Sequence, residues 1–245
     1  MRREITLLFI AALVGTPAAA QTQKPPRLVL SVNGIYQGGT SDVTSTVAFT
    51  ANAETATFST TSPVPSGPGF DAGVRFTVHG PFALGFAATK FTASGTADVT
   101  AKIPHPFFFN QPRTISGTAP VSRDETTMRI ELAVQSKPGT KLQFMLFAGP
   151  AYFSVKQDLV DSVTYTDAYP YDTATFKSAV TKQATANNWG FAGGVDVSYY
   201  FTKSIGIGGA FALAKSTMST KASDGSAVEL TAGGLQAGGG LRFRF

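Results

Sequence analysis

Gly233–Phe245 reads GGLQAGGGLRFRF, and its alternation decides the fold. Leu235, Ala237, Gly239, Leu241, Phe243 and Phe245 fall on one side of an extended chain. Gln236, Gly238, Gly240, Arg242 and Arg244 fall on the other, because strand side chains alternate with period two. The apolar face carries the bulk. The minor face carries glycine, glutamine and two guanidiniums.

The same period recurs upstream. Trp189–Phe201 sets Trp189, Phe191, Val195, Val197, Tyr199 and Phe201 against Ala192, Asp196, Ser198 and Tyr200. Ile205–Leu213 sets Ile205, Ile207, Phe211 and Leu213 against Gly206, Gly208, Ala210 and Ala212. Thr127–Gln135 sets Met128, Ile130, Leu132 and Val134 against Arg129, Glu131 and Gln135. Phe70–Val78 sets Phe70, Ala72, Val74, Phe76 and Val78 against Asp71, Gly73, Arg75 and Thr77. Phe82–Thr89, Leu142–Phe153 and Leu28–Gln37 repeat the pattern more weakly, and Phe144 and Phe147 fall on opposite faces.

These segments predict eight strands. Three joints are short and turn-rich: His79–Pro81, Lys137–Thr140 and Thr202–Ser204. Four are long: Gly38–Gly69, Thr92–Thr126, Val155–Asn187 and Ser216–Ala232. Long and short alternate strictly. That rhythm predicts an all-β, eight-stranded antiparallel transmembrane β-barrel, with short periplasmic turns and four long extracellular loops. In lipid every backbone N–H and C=O needs a partner, and closure removes both raw edges of the sheet. A soluble barrel is apolar inside. Filling a small barrel with the Gly/Ala face would leave it hollow and expose a large apolar band to water.

The chain begins as an exported protein does. Arg2 and Arg3 precede the apolar run Ile5–Val14, and Ala18-Ala19-Ala20 supplies small residues for cleavage. This predicts a signal peptide over 1–20, a short periplasmic segment over 21–26 and the barrel over 27–245. The apolar run is too short for the ~20 residues of a spanning helix. Charged residues are only 14%, and Cys is absent, which excludes disulfides, Cys-ligated metals and thiol nucleophiles.

Without Arg2, Arg3 and Glu4 the net charge is +4, yet the four long joints together carry −4. The positive excess lies on strands and the periplasmic end. No loop forms a basic stripe for phosphates, so no nucleic-acid partner is expected. On the inward face Arg75, Arg129, Arg242 and Arg244 meet Asp71, Glu131 and Asp196. Buried charges must pair. They form either a plug or a gate, and the Gly/Ala wall of Ile205–Leu213 and Gly233–Phe245 leaves room for water.

At this point the chain resembles the small outer-membrane β-barrel family of Gram-negative bacteria, the type of the OmpA transmembrane domain and OmpX. The resemblance covers about Arg27–Phe245. It implies that Leu241, Phe243 and Phe245 carry the signal read by the outer-membrane assembly machinery. It also implies outer-membrane lipid and lipopolysaccharide as surroundings. Members serve as structural proteins, adhesins, small channels or, rarely, lipid-modifying enzymes, and the fold does not choose among them. Phe245 ends the sequence, so no peptidoglycan-binding domain like that of OmpA is expected.

The long joints hold the remaining candidates. Phe107, Phe108 and Phe109 stand between prolines, a hydrophobic tip for a partner or lipid. Tyr165, Tyr169 and Tyr171 form a second binding surface beside Asp158, Asp161, Asp167 and Asp172, which lack calcium-loop spacing. His79 sits in a short turn, and His105 has no nucleophile motif near it. No enzyme activity, cofactor or metal is expected. Lys90, Lys156 and Lys215 fall near the outer rim, where lipopolysaccharide phosphates lie. Partial alternation in Val43–Thr50, Thr96–Ile103 and Asp161–Thr166 predicts strands running past the bilayer as a protruding sheet, with an edge open to strand addition. The expected function is that of a non-enzymatic surface-binding or structural barrel. The alternatives are a narrow channel and an outer-membrane enzyme that modifies lipid A or cleaves protein.

Overall fold

Ten strands build the computed structural model, which describes Pro26–Phe245; the expected signal peptide lies outside the described residues. They are β1 (Leu28–Gln37), β2 (Val43–Ala51), β3 (Glu54–Ser62), β4 (Gly67–His79) and β5 (Phe82–Ile103). Then follow β6 (Arg113–Gln135), β7 (Leu142–Asp167), β8 (Ala174–Tyr200), β9 (Ile205–Lys221) and β10 (Ala227–Arg244). Eight of them close a ring in the order β1-β4-β5-β6-β7-β8-β9-β10, with β10 returning to β1. All neighbours run antiparallel. The seam is Val29↔Arg244 to Gln37↔Gln236, so the last strand seals the barrel against the first.

The long joints are mostly strand. β7 and β8 have 26 and 27 residues. At about 3.4 Å per residue each is roughly 90 Å of contour, about three times a ~30 Å hydrocarbon core. The outer turns shrink to Pro104–Pro112, Ala168–Thr173 and Ala222–Ser226. The predicted protrusion is therefore continuous with the barrel wall.

Polarity inverts along each tall strand. On β6 Met128, Ile130, Leu132 and Val134 face outward and are exposed, while Arg129, Glu131 and Gln135 are buried. Above Glu125 the same outward face carries Thr118, Ser116 and Thr114, and the buried face carries Val121, Ala119 and Ile115. β5 changes likewise at Lys90, with Leu84 and Phe86 outward below it and Val99, Ala101 and Ile103 inward above it. The lower half is built for lipid outside, the upper half for water outside. Lys90, Lys156 and Lys215 are all exposed at that boundary.

β2 and β3 are an addition to the eight-strand expectation. They form a hairpin turned at Asn52-Ala53, both with positive φ (49° and 62°). Two successive positive φ values match the twist of a tight two-residue hairpin loop. β3 pairs with the top of β5, Thr57↔Lys102 to Thr61↔Asp98. Since β1 and β4 are short, the hairpin takes their place in the upper wall. Its apolar face, Val47, Ala56 and Phe58, joins Val99, Ile103, Ile115 and Val160 in a buried core.

The free edge of β2 is held by the β9–β10 turn. The Ala48 amide donates to Asp224 Oδ2 at 2.9 Å, and Ser226 Oγ donates to the Thr46 carbonyl at 3.2 Å. Hydrogen bonds from Ser226 and the Ala48 amide push the Asp224 carboxyl down to about 2. A depressed acid favours the folded form while ionised. The Ala48–Asp224 half of the tether is thus complete above about pH 4 and weakens as pH falls from 4 through 2, while the Ser226–Thr46 bond stays. The protection of the Ala48 amide, measured against its intrinsic exchange rate, should fall across that window, and Asp224→Asn should remove that pH dependence.

Candidate functional site

The bore is filled in layers, starting at the periplasmic end. Arg244 Nε donates to the Lys203 carbonyl at 2.6 Å and its Nη1 to the Thr140 carbonyl at 2.8 Å. Its guanidinium lies 3.8 Å from the centroid of the Tyr200 ring, within cation–π range. This corrects the sequence reading, which put Arg244 in the ion-pair network. Sitting where two turns converge, it meets main-chain carbonyls and no carboxylate.

One layer up, Arg242 is fully buried and pairs with Asp196 and the Asn33 side chain. Ser198 Oγ donates to the other Asp196 oxygen at 2.6 Å. Asn33 Nδ2 donates to Asp71 at 2.9 Å and links this layer to the next. There Arg129 bridges Asp71 and Glu131, at 2.7 Å to each, and Arg75 reaches Glu131 at 3.4 Å. Thr89 donates to Asp71 at 2.8 Å. Arg129 also lies 5.7 Å from the Phe147 ring centroid, which explains why Phe147 faces inward while Phe144 meets lipid.

Part of the room beside the glycines is taken up by side chains. A Cβ on Gly208 would stand 2.8 Å from Arg242 Nε, and one on Gly85 3.0 Å from Glu131 Oε2. Gly208 thus faces an arginine and Gly85 a glutamate from the neighbouring strand, whereas a Cβ on Gly238 or Gly240 would meet main chain. Arg75, Arg129 and Arg242 balance Asp71, Glu131 and Asp196, so these two layers carry no net charge, and Arg244 below them adds one positive charge.

A fourth polar layer escaped the sequence reading because its residues fell in a presumed loop. Arg123 pairs with Glu125 at 3.1 Å and donates to the Thr231 carbonyl at 2.6 Å. Glu125 accepts the Gly233 amide at 2.8 Å. Gly233 and Gly234 both have positive φ (95° and 117°), a conformation glycine adopts freely. The buried Gln37 and Gln236 complete the layer. Val155 pairs with Glu125 and Phe153 with Thr127, so an apolar core around them and Leu230 adjoins this layer.

A closed eight-stranded ring with a lipid-facing belt and a polar, charge-paired interior is now in place. The crystal structure of the outer membrane protein OprG from Pseudomonas aeruginosa matches it with a TM-score of 0.51 at 10% identity. That match covers 91% of this chain and 97% of that one. This is the fold of the small outer-membrane β-barrels. The attachment invasion locus protein Ail of Yersinia pestis matches with a TM-score of 0.38 at 7% identity, over 90% of this barrel and 100% of Ail. Neisserial surface protein A matches with 0.37 at 11%, over 89% and 97%. No protein-family model and no curated protein matches the sequence. The apolar belt places the barrel in the outer membrane, the setting in which closed barrels of this kind replace spanning helices.

The loop candidates converge at the outermost turns. Phe107, Phe108 and Phe109 are 69%, 56% and 69% exposed, and Tyr169 is 87% exposed. Phe107 stacks edge-on against Tyr171, and Tyr171 against Tyr169. The two binding surfaces read from sequence are therefore one aromatic patch on neighbouring turns. Tyr165 does not belong to it; it packs against the upper core. Burial raises its phenol above the ordinary range, and Asp167 adds to the rise.

Two devices hold the patch rigid. His105 is buried, and its Nδ1 accepts the amides of Phe107 and Phe108 at 3.1 Å each. Arg113 reaches Asp167 at 2.6 Å and the carbonyls of Tyr171 and Pro104 at 3.1 and 3.0 Å, tying the two turns together. No group of three or more His, Cys, Asp or Glu side chains is arranged for a metal among the described residues.

Proposed function

We propose that this outer-membrane barrel is a non-enzymatic surface-binding protein whose bore is plugged and whose outermost aromatic patch meets the partner. The observation that carries the reading is the exposure of Phe107, Phe108, Phe109 and Tyr169 on turns fixed by His105 and Arg113. Exposed rings in a contiguous group mark interaction surfaces when a rigid scaffold presents them. The charge-balanced layers from Arg242 to Arg123 speak against a conducting lumen, since every guanidinium there is engaged with carboxylate or carbonyl oxygen.

The test combines two measurements. In a planar bilayer the refolded barrel should be silent, and Glu131→Gln should stay silent. Cells displaying the barrel should adhere to an octyl-coated surface about tenfold better than cells displaying the Phe107→Ser, Phe108→Ser, Phe109→Ser variant. Roughly 1.4 kcal/mol is a tenfold change, within reach of three solvated rings. A stable conductance step altered by Glu131→Gln would make the lumen the working part. Equal adhesion by both cell types would remove the patch from the function.

A further inference from the structure

The extracellular wall is open on one side. β8 and β9 pair from Tyr200↔Gly206 up to Phe191↔Lys215 and then separate. Above that point β8 runs on to Ala174 paired only with β7, and β9 runs on to Lys221 paired only with β10. Two unpaired strand edges therefore border a gap. Its lower end is bridged by Asn188 Nδ2 donating to the Thr217 carbonyl at 2.6 Å. Beyond its upper end Ser223 Oγ, in the β9–β10 turn, donates to the Asp161 carbonyl of β7 at 2.9 Å. Between them lies a cavity of about 330 Å³, lined by Leu159, Ala184 and Ala222 with Lys182, Lys221 and Asp161.

Two other exposed edges carry side-chain caps, a device natural sheets use to blunt an edge. β2 is capped by Asp224 and Ser226. The upper edge of β6 is capped where Asp158 accepts the Ser122 amide at 3.0 Å. Among the described residues no side chain caps the backbone of Lys182–Asn187 or Met218–Lys221. An edge that lacks such caps presents free amides and carbonyls in strand register.

We propose that this gap is a strand-addition site for an extended peptide that places a glutamate in the cavity. Free backbone groups on an edge recognise any extended chain, and a pocket beside the edge selects the side chain. Leu159, Ala184 and Ala222 suit a short methylene stem. Lys182 and Lys221 against the single Asp161 leave one positive charge in excess, which suits a carboxylate at its end. The proposal rests on the surface-binding reading but uses a different place from the aromatic patch.

A display library of alternating Thr/Val peptides, randomised at two central positions, tests it against the refolded barrel in detergent micelles. Glutamate should be enriched at one central position. N-methylation of the amides that face β8 should weaken the selected peptide about tenfold or more, the worth of one or two hydrogen bonds. Lys182→Glu with Lys221→Glu should also weaken it, while both variants keep the heat-modifiable band of a folded barrel. Amide exchange in Lys182–Asn187 should slow on binding. The serine variant of Phe107–Phe109 should bind the peptide unchanged, so failure of the aromatic reading and failure of this one are separable. Absence of carboxylate enrichment, or affinity that survives N-methylation, overturns the proposal. Protection of Lys182–Asn187 that rises with protein concentration alone also overturns it, because the occupant is then a second copy of this chain.

Discussion

Arg242→Ala will destabilise the folded barrel by about 3–5 kcal/mol, the cost of stranding a buried charge. Arg242 is fully buried, and its guanidinium is the partner of both Asp196 and Asn33. Truncation leaves Asp196, itself 5% exposed, with only the Ser198 hydroxyl, and it leaves Asn33 tied to Asp71 alone. The measurement is a denaturant midpoint in micelles, followed by the heat-modifiable band. The double variant Arg242→Ala, Asp196→Ala should lose less than the single one, because no unpaired carboxylate remains. Arg244→Ala should also cost less, since its partners are main-chain carbonyls and the Tyr200 ring. A loss below about 1 kcal/mol for Arg242→Ala would mean that water reaches Asp196 and that the bore is not plugged at this layer.

The ion-pair layers were legible in sequence wherever alternation was clean. Asp71, Arg75, Arg129, Glu131, Asp196 and Arg242 all fall on the minor face of segments whose apolar face is unmistakable, and all six meet in the bore. Arg244 shares the face but not the network, because period two gives a face and says nothing of height. The β2–β3 hairpin was half visible. Val43–Thr50 alternates, but Ala56 and Phe58 sit in a Thr/Ser-rich run, and Asn-Ala is a weaker turn signal than Asn-Gly. The upper wall was legible only as partial alternation, and its continuity with the barrel strands was masked by a switch of phase. On β5 the apolar residues are Phe82, Leu84 and Phe86, then Phe91, Ala93, Ala97, Val99, Ala101 and Ile103. On β10 they are Val228, Leu230 and Ala232, then Leu235, Leu241 and Phe243. A reading that expects one apolar face per strand ends the strand at the switch. The strand does not end there; the solvent on its outer side changes.

That switch gives the second large effect, and it isolates the membrane from the fold. Leu132→Arg will cost about 2–4 kcal/mol, the penalty for a guanidinium on the lipid face near the bilayer middle. Thr118→Arg, on the same outward face of the same strand, will stay within about 0.5 kcal/mol, as a surface change in water does. Leu132 is 66% exposed and Thr118 is exposed too, so neither substitution opens a cavity or removes a buried contact. Both residues pair with β5, Leu132 with Leu84 and Thr118 with Asp98; Leu132 also pairs with Ala148 of β7, through backbone that an outward side chain does not touch. What differs is the outward neighbour: Leu84 and Phe86 beside Leu132, but Asp98 and Thr100 beside Thr118. Transfer between micelle and denaturant should therefore register the first substitution and not the second. Equal costs at the two positions would mean that the belt extends past Lys90, and the three exposed lysines at that height would then stand in hydrocarbon, each unpaired at a cost of several kcal/mol. The polar outward face of Thr114–Asp124 makes unequal costs the expected result, with the boundary between Thr126 and Met128.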